Sequence, residues 1–204
     1  MLGQLTALLI QTQRRLEALY ALEPGPAITD FIQLDPSNGE ERLLVRQVDT
    51  ETLEIRLVLP SNIDPEAPPQ SDDHVEVVEG VSHFVHLAER ARTRLPTSQL
   101  ELEFQAEVDK FALLWDGLDP QHPRAPVDLH EWLFERVRYL HDASTMRGQR
   151  YRLANDLAAR LCARLLARKQ REVPHRRQPR FPVDFLRRFY RCGLAEKIHL
   201  AQAA

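Results

Sequence analysis

The chain has 204 residues but only two cysteines, two methionines and two tryptophans, and glycine is scarce at 7. The two cysteines, Cys162 and Cys192, lie inside Arg-rich stretches and not at a metal-ligand spacing, which excludes a disulfide framework and a zinc-finger type of site. Two buried, reduced thiols in a cytoplasmic protein are the expectation. The glycine-dependent signatures of phosphate cradles and nucleophile elbows are missing altogether, as is the His-Glu-x-x-His pattern of zinc proteases. No apolar run reaches the roughly 18 residues that a membrane-crossing helix needs. The N-terminus, MLGQLTALLIQTQRRLEALY, has neither a basic leader nor a small-residue cleavage site, so no signal peptide is expected.

What is present fits a globular chain: 43% hydrophobic and 28% charged residues, with 14 prolines gathered in a few stretches that mark boundaries. A chain of this length buries about 70% of its unfolded surface and needs no covalent staple. The expectation is one domain over residues 1–204, with a sub-division into a helix and hairpin (1–60), a loop (61–73) and a helical region (74–204) whose basic part begins at residue 147. The net charge of −3 conceals a steep division. Residues 1–146 carry 12 Lys and Arg against 26 Asp and Glu, a net of −14, whereas residues 147–204 carry 15 against 4, a net of +11. Such asymmetry points to a polyanionic partner or to internal neutralisation.

Leu5, Leu8, Leu9, Leu16 and Leu19 recur at helical spacing and predict an amphipathic helix over residues 3–22, stopped by Pro24-Gly25-Pro26. Residues 43–48 and 53–59 read as two strands of a hairpin, and a lone hairpin must pack on helices to persist. A Pro- and Asp-rich loop follows. Helical patterns then cover residues 74–94, with Val77, Val78, Val81, Val85 and Ala88 on one face. Residues 100–109 alternate as a strand would, but Leu100, Phe104, Val108, Phe111 and Trp115 also fit a helix face. Ser98 to Glu101 resembles a capping box, which favours helix. Beyond Pro126, Asp128 is expected to cap a helix carrying Leu129, Trp132, Leu133, Val137 and Leu140. A long helix over 148–172, a basic loop over 173–182, a short helix through Phe185 and Phe189, and a final turn containing Ile198 complete the reading. The predicted fold is α+β and predominantly helical: an N-terminal helix and β-hairpin packed on a five- to six-helix C-terminal bundle.

Two constellations carry chemistry. Glu79, His83, His86 and Arg90 share one helical stripe, and Glu103 and Glu107 share another on the next segment. If the two segments form an antiparallel hairpin, His83 and His86 would face Glu103 and Glu107 as a metal or general acid–base patch. Lys110 is placed to separate the two carboxylates. The bland reading is that these imidazoles make ordinary hydrogen bonds at a helix boundary. The second constellation is the run of arginines: Arg150, Arg160, Arg164 and Arg168 on the long helix, Arg176, Arg177 and Arg180 on the basic loop, and Arg187, Arg188 and Arg191 on the next helix. Tyr151, Phe181 and Tyr190 are interleaved with them. Charge of that density attracts anions, and aromatics among it stack on unpaired bases. Its bland reading is a solvated face neutralised by the acidic portion.

The function expected from these features is non-enzymatic: a cytoplasmic binding or adaptor protein that engages an acidic protein surface through these arginines, with no cofactor. A DNA- or RNA-binding regulator using the same arginines is the first alternative. A metal-dependent or acid–base enzyme built on His83, His86, Glu103 and Glu107 is the second.

Overall fold

Helices occupy the segments in which apolar residues recur every three to four positions, and strands the one stretch rich in β-branched and aliphatic alternation. A computed structural model describes residues 2–37, 39–49, 53–119, 121–172 and 182–203. Along them run α1 (Leu2–Tyr20), a 3-10 turn (Ile28–Asp30), β1 (Ile32–Asp35), β2 (Arg42–Gln47), β3 (Leu53–Pro60), α2 (Asp72–Arg92), α3 (Gln99–Trp115), α4 (Ala125–His130) continued by a π-turn (Glu131–Glu135), α5 (Met146–Glu172), α6 (Val183–Arg191) and α7 (Leu194–Gln202). The fold is α+β and predominantly helical. Its contacts divide it into two compact units, Met1–Leu95 and Pro96–Ala204.

In the first unit, β2 and β3 form the expected antiparallel hairpin, in a register that sets Leu44 opposite Arg56 and Val45 opposite Ile55. A third strand, β1, was not foreseen. It pairs in parallel with β3, Ile32 beside Leu57 and Leu34 beside Leu59, giving the order β1-β3-β2. Only four residues long, β1 is too short for its alternation to be distinguished from loop. As the central strand, β3 has residues 57–60 buried on both faces, and the sheet lies on α2 along with α1. Leu9, Leu16, Tyr20, Ile28, Leu57, Leu59, Val77, Val81 and Phe84 form this core, with Phe31 packed 5.1 Å from Phe84 between ring centroids.

The chain leaving α1 is strapped back by one side chain. Gln13 Oε1 accepts from Ile28 N at 3.0 Å, and its Nε2 donates to Pro26 O at 2.9 Å and to Glu17 Oε1 at 2.8 Å. Buried backbone groups that no regular element satisfies thus find an amide that offers both a donor and an acceptor. The N-terminus of α2 is capped by Ser71, whose hydroxyl accepts from His74 N at 3.2 Å. Asp72 and Asp73 lie in the first turn, where the helix dipole favours negative charge.

The second unit is helical. The segment at 100–109 is helix, because Ser98 caps it by accepting from Glu101 N at 3.2 Å. The capping box is not reciprocal: the Glu101 carboxylate turns to Lys197 of α7, with Nζ 3.1 Å from Oε1. Lys197 is fully buried, also donates to Gln105 Oε1 at 2.9 Å, and lies over the rings of Phe189 and Tyr190. Gln105 in turn donates to Asp109 Oδ1 at 2.8 Å. Glu101, Gln105 and Asp109 are therefore a buried polar stripe at i, i+4 and i+8, threaded through an apolar core of Phe104, Val108, Phe111, Leu129, Leu157, Leu161, Leu186 and Phe189.

Two expectations change here. The helix beyond residue 120 begins at Ala125 with Pro126 in its first turn, not after an Asp128 cap. It widens into the π-turn and ends at Arg136, leaving Val137 and Leu140 exposed. Proline needs no amide partner in a first turn. His130 supplies the anchor, bonding to Ala159 O at 2.9 Å and packing edge-on against Phe111 and Phe134. The final turn is a nine-residue helix, α7. Gly148 marks a close approach: a Cβ there would overlap the carbonyl of Asp142.

Breaking the Lys197–Glu101 pair from one side strands a buried charge, so Lys197→Ala is expected to cost about 3–5 kcal/mol in urea denaturation. Replacing both partners by Lys197→Met and Glu101→Leu is expected to recover at least half of that loss. A double variant no more stable than the single one would show that the pair does not hold α7. His74 gives a pH prediction. Its half-buried imidazole is held below the ordinary value of 6.5, first by desolvation and then by the charge of Arg15. The folded chain binds fewer protons there than the unfolded chain, so stability is complete above about pH 6.5 and is lost as pH falls through the lowered value. The drop in denaturation midpoint between about pH 7 and pH 5.5 should be smaller in His74→Gln. An equal drop refutes the assignment.

Candidate functional site

α2 places Glu79 and His83 one helical turn apart, facing the chain where it enters β2. The structure brings to them a residue that the sequence did not single out, Glu41. His83 Nδ1 lies 3.5 Å from Glu41 Oε2, and both side chains are only 6% exposed. Glu41, Glu79 and His83 each offer a ligand atom within 4.8 Å of the other two. Glu76 completes the surroundings: its Oε1 accepts from the Glu41 backbone N at 3.0 Å. Burial pushes the Glu76 carboxyl above its ordinary value against the lowering effect of that hydrogen bond, with the charges of Glu79, Glu41 and Asp73 adding to the rise.

Gly80 makes the approach possible. A Cβ at that position would stand 3.0 Å from Glu41 Cγ and 3.0 Å from Leu57 Cδ1, so the two side chains would have to give way by a few tenths of an ångström. Glycine costs a helix interior about 1 kcal/mol relative to alanine. A glycine inside an apolar-periodic helix was the sequence signal for this close contact. Glu41 itself, four residues into a turn region, gave none.

The remaining members of the expected patch have partners within their own units. His86 accepts at Nε2 from Arg90 Nε at 3.3 Å, both residues being buried in the first unit. Glu103 and Glu107 belong to the second unit, where each meets a cation. Arg150 Nε is 3.6 Å from Glu103 Oε1, and Lys110 Nζ is 2.7 Å from Glu107 Oε1. Lys110 meets Glu107 within α3 itself, and the Glu103 carboxylate ties α3 to α5.

The arginines sort by helix face. Arg160, Arg164 and Arg168 follow one another at i, i+4 and i+8 along α5, with Arg160 and Arg168 exposed and Arg164 half-buried. Arg150, near the start of α5, lies against Glu103. Arg160 pairs with Asp156 at 3.0 Å, a contact whose side chains are both at least half exposed. On α6, Arg188 and Arg191 are exposed and Arg187 is half-buried. The guanidinium groups of Arg164 and Arg188 have no carboxylate within 4 Å among the described residues. Arg176, Arg177 and Arg180 lie outside the described residues.

The aromatics interleaved with these arginines are engaged inside the unit. Tyr190 is 3% exposed, and Tyr151 stacks on His141 at 5.6 Å with Arg147 over its ring. Phe181 lies outside the described residues. No family model, curated protein or solved structure matches the chain. Among the described residues no helix is long and apolar enough to cross a membrane.

The two thiols differ. Cys162 is buried in the second core, where desolvation and then the charge of Glu107 push its pKa well above 9.0. Cys192, expected to be buried, is instead partly exposed at the end of α6, and its thiol donates to Arg188 O at 3.2 Å. An aromatic disulfide reagent is expected to label a single thiol rapidly in the native chain and both in denaturant, since only an accessible thiolate reacts. Cys192→Ser should abolish the rapid phase. Persistence of that phase in the variant would contradict the burial of Cys162.

Proposed function

We propose that the chain is a non-enzymatic binding or adaptor protein of the cytoplasm that engages an acidic protein surface through the arginines of α5 and α6. The observation that carries this reading is the stripe of Arg160, Arg164 and Arg168, together with the exposed Arg188 and Arg191. Each of these helices buries its opposite face, through Ala158, Cys162 and Leu166 on α5 and Leu186 and Phe189 on α6. The arginines therefore stand on the outward side of each helix. The Arg160–Asp156 pair does not foreclose this use. An exposed i, i+4 pair contributes about 0.3–0.5 kcal/mol and is readily exchanged.

A protein partner is favoured over nucleic acid by the state of the aromatics. Binding of unpaired bases draws on exposed rings, and both Tyr151 and Tyr190 are occupied within the unit. What is offered instead is planar guanidinium, whose fork matches carboxylates in two parallel hydrogen bonds. Two free thiols fit a reducing compartment.

The test compares the native chain with Arg164→Glu/Arg168→Glu/Arg188→Glu on immobilised polyglutamate, alongside a duplex-DNA mobility assay. The native chain is expected to bind polyglutamate at least about tenfold more tightly at about 50 mM salt and to leave DNA unretarded at about 200 mM. Equal retention of the two chains on polyglutamate overturns the reading. Retarded DNA at the higher salt, lost in the variant, would transfer the same arginines to a nucleic-acid partner.

A further inference from the structure

We infer that the first unit carries a binding site for a divalent first-row transition ion, of the Zn²⁺ type, formed by Glu41, Glu79 and His83. The inference concerns residues and chemistry separate from the arginines of α5 and α6, and it stands without them. Its first support is distance. Two ligands about 2.1 Å from a tetrahedral ion lie about 3.4 Å from each other; His83 Nδ1 and Glu41 Oε2 are 3.5 Å apart. Glu79 brings its own donor within 4.8 Å of both, so side-chain torsions that draw it in by up to about 1.4 Å close the set around a shared centre.

The second support is the way the backbone is built to deliver these groups. Glu79 and His83 come from one helix face at i and i+4, and Glu41 comes from the strand entry across from it. Gly80 lies directly beneath, and a side chain there would push Glu41 away. Glu76 accepts the Glu41 backbone N–H and fixes its position. Outer partners that hold a ligand in place are a regular part of metal sites. Burial and charge are the third support. Glu41 and His83 are both buried, and a neutral imidazole with two carboxylates balances a dipositive ion, leaving no net charge in a poorly solvated place.

The donor set identifies the kind of ion. Mg²⁺ and Ca²⁺ take oxygen ligands, six or more for Ca²⁺. One imidazole with two carboxylates suits a borderline ion such as Zn²⁺ or Co²⁺, which also accepts a low coordination number. Three protein ligands leave a further position for water or a small anion.

The experiment titrates the chelator-treated full chain with Co²⁺, whose visible absorption reports coordination by the protein, and then displaces it with Zn²⁺. A single Co²⁺ per chain is expected to bind with a visible band of low-coordinate intensity that Zn²⁺ abolishes. Glu79→Gln and His83→Gln should each weaken binding at least about tenfold, and Gly80→Ala, by displacing Glu41, by about the same factor. His199→Gln, at an exposed histidine of α7, should change nothing. Circular dichroism establishes that each variant is folded. Glu79 is half-buried and outside the apolar core, so Glu79→Gln remains decisive if His83→Gln fails to fold. An unchanged Co²⁺ affinity in Glu79→Gln, or no binding by the folded native chain, overturns the site and leaves an imidazole–carboxylate pair. Loss of the band in His199→Gln overturns it equally.

Discussion

The packing of the second unit rests on a charge that has no access to water. Lys197 Nζ is held between Glu101 and Gln105 beneath two aromatic rings, and a lone ammonium in such a place would cost several kcal/mol. α3 therefore cannot pack as a simple amphipathic helix. Its stripe of Glu101, Gln105 and Asp109 requires α7 in one rotation and one register, because only there does Lys197 reach both acceptors. An apolar seam tolerates sliding by a turn, whereas a seam containing one buried ammonium and its acceptors does not. Arg150 against Glu103 imposes a similar condition on α5. The core residues supply most of the burial, and the buried ions select the arrangement.

The first unit meets the same physical demand with different means. Glu41 and Glu79 gather about His83 where β2 begins, with Glu76 bonded to the Glu41 backbone, and burial, reinforced by the neighbouring charges, makes Glu76 hold its proton more tightly. Gly80 is the structural concession that allows it. A helix that gives up about 1 kcal/mol of propensity at its middle does so at a contact that a Cβ would crowd. The concession is understandable if the carboxylate it admits has a task that packing alone does not supply.

Periodicity made α1, α2, α3 and α5 readable, together with the β2–β3 hairpin, because each buries one continuous face over several turns or alternations. β1 escaped because four residues carry too little pattern, and α7 because its inward face holds Lys197, a residue that reads as solvent-exposed in any hydropathy profile. The π-turn after α4 escaped for a related reason: the helix ends with it, so Val137 and Leu140 fall outside the helix that their spacing suggested. Two of the three residues of the candidate site were readable. Glu79 and His83 share a helix, so their spacing places them together, whereas Glu41 reaches them through a tertiary contact that no local spacing encodes. The reading of Tyr190 as part of a basic surface failed on the same ground. An aromatic among arginines looks outward in sequence, yet its position beside Phe189 on the inner face of α6 puts it under Lys197.

The sorting of charge within the second unit decides what its surface can do. Glu101, Glu103 and Asp109 are buried and spend their charge on cations and amides of the interior, so they contribute little field at the surface. Arg160 and Arg168 of α5 and Arg188 and Arg191 of α6 are exposed. A tally of charges along the chain treats an interior glutamate and a surface arginine as equal and opposite, but a carboxylate bound to an internal ammonium is already cancelled. The outer face is therefore more positive than the composition of the unit implies. Potential of one sign over an extended helix surface steers an oppositely charged partner and is weakened by salt. The same burial of acids that orders the helices also withdraws their charge from the surface.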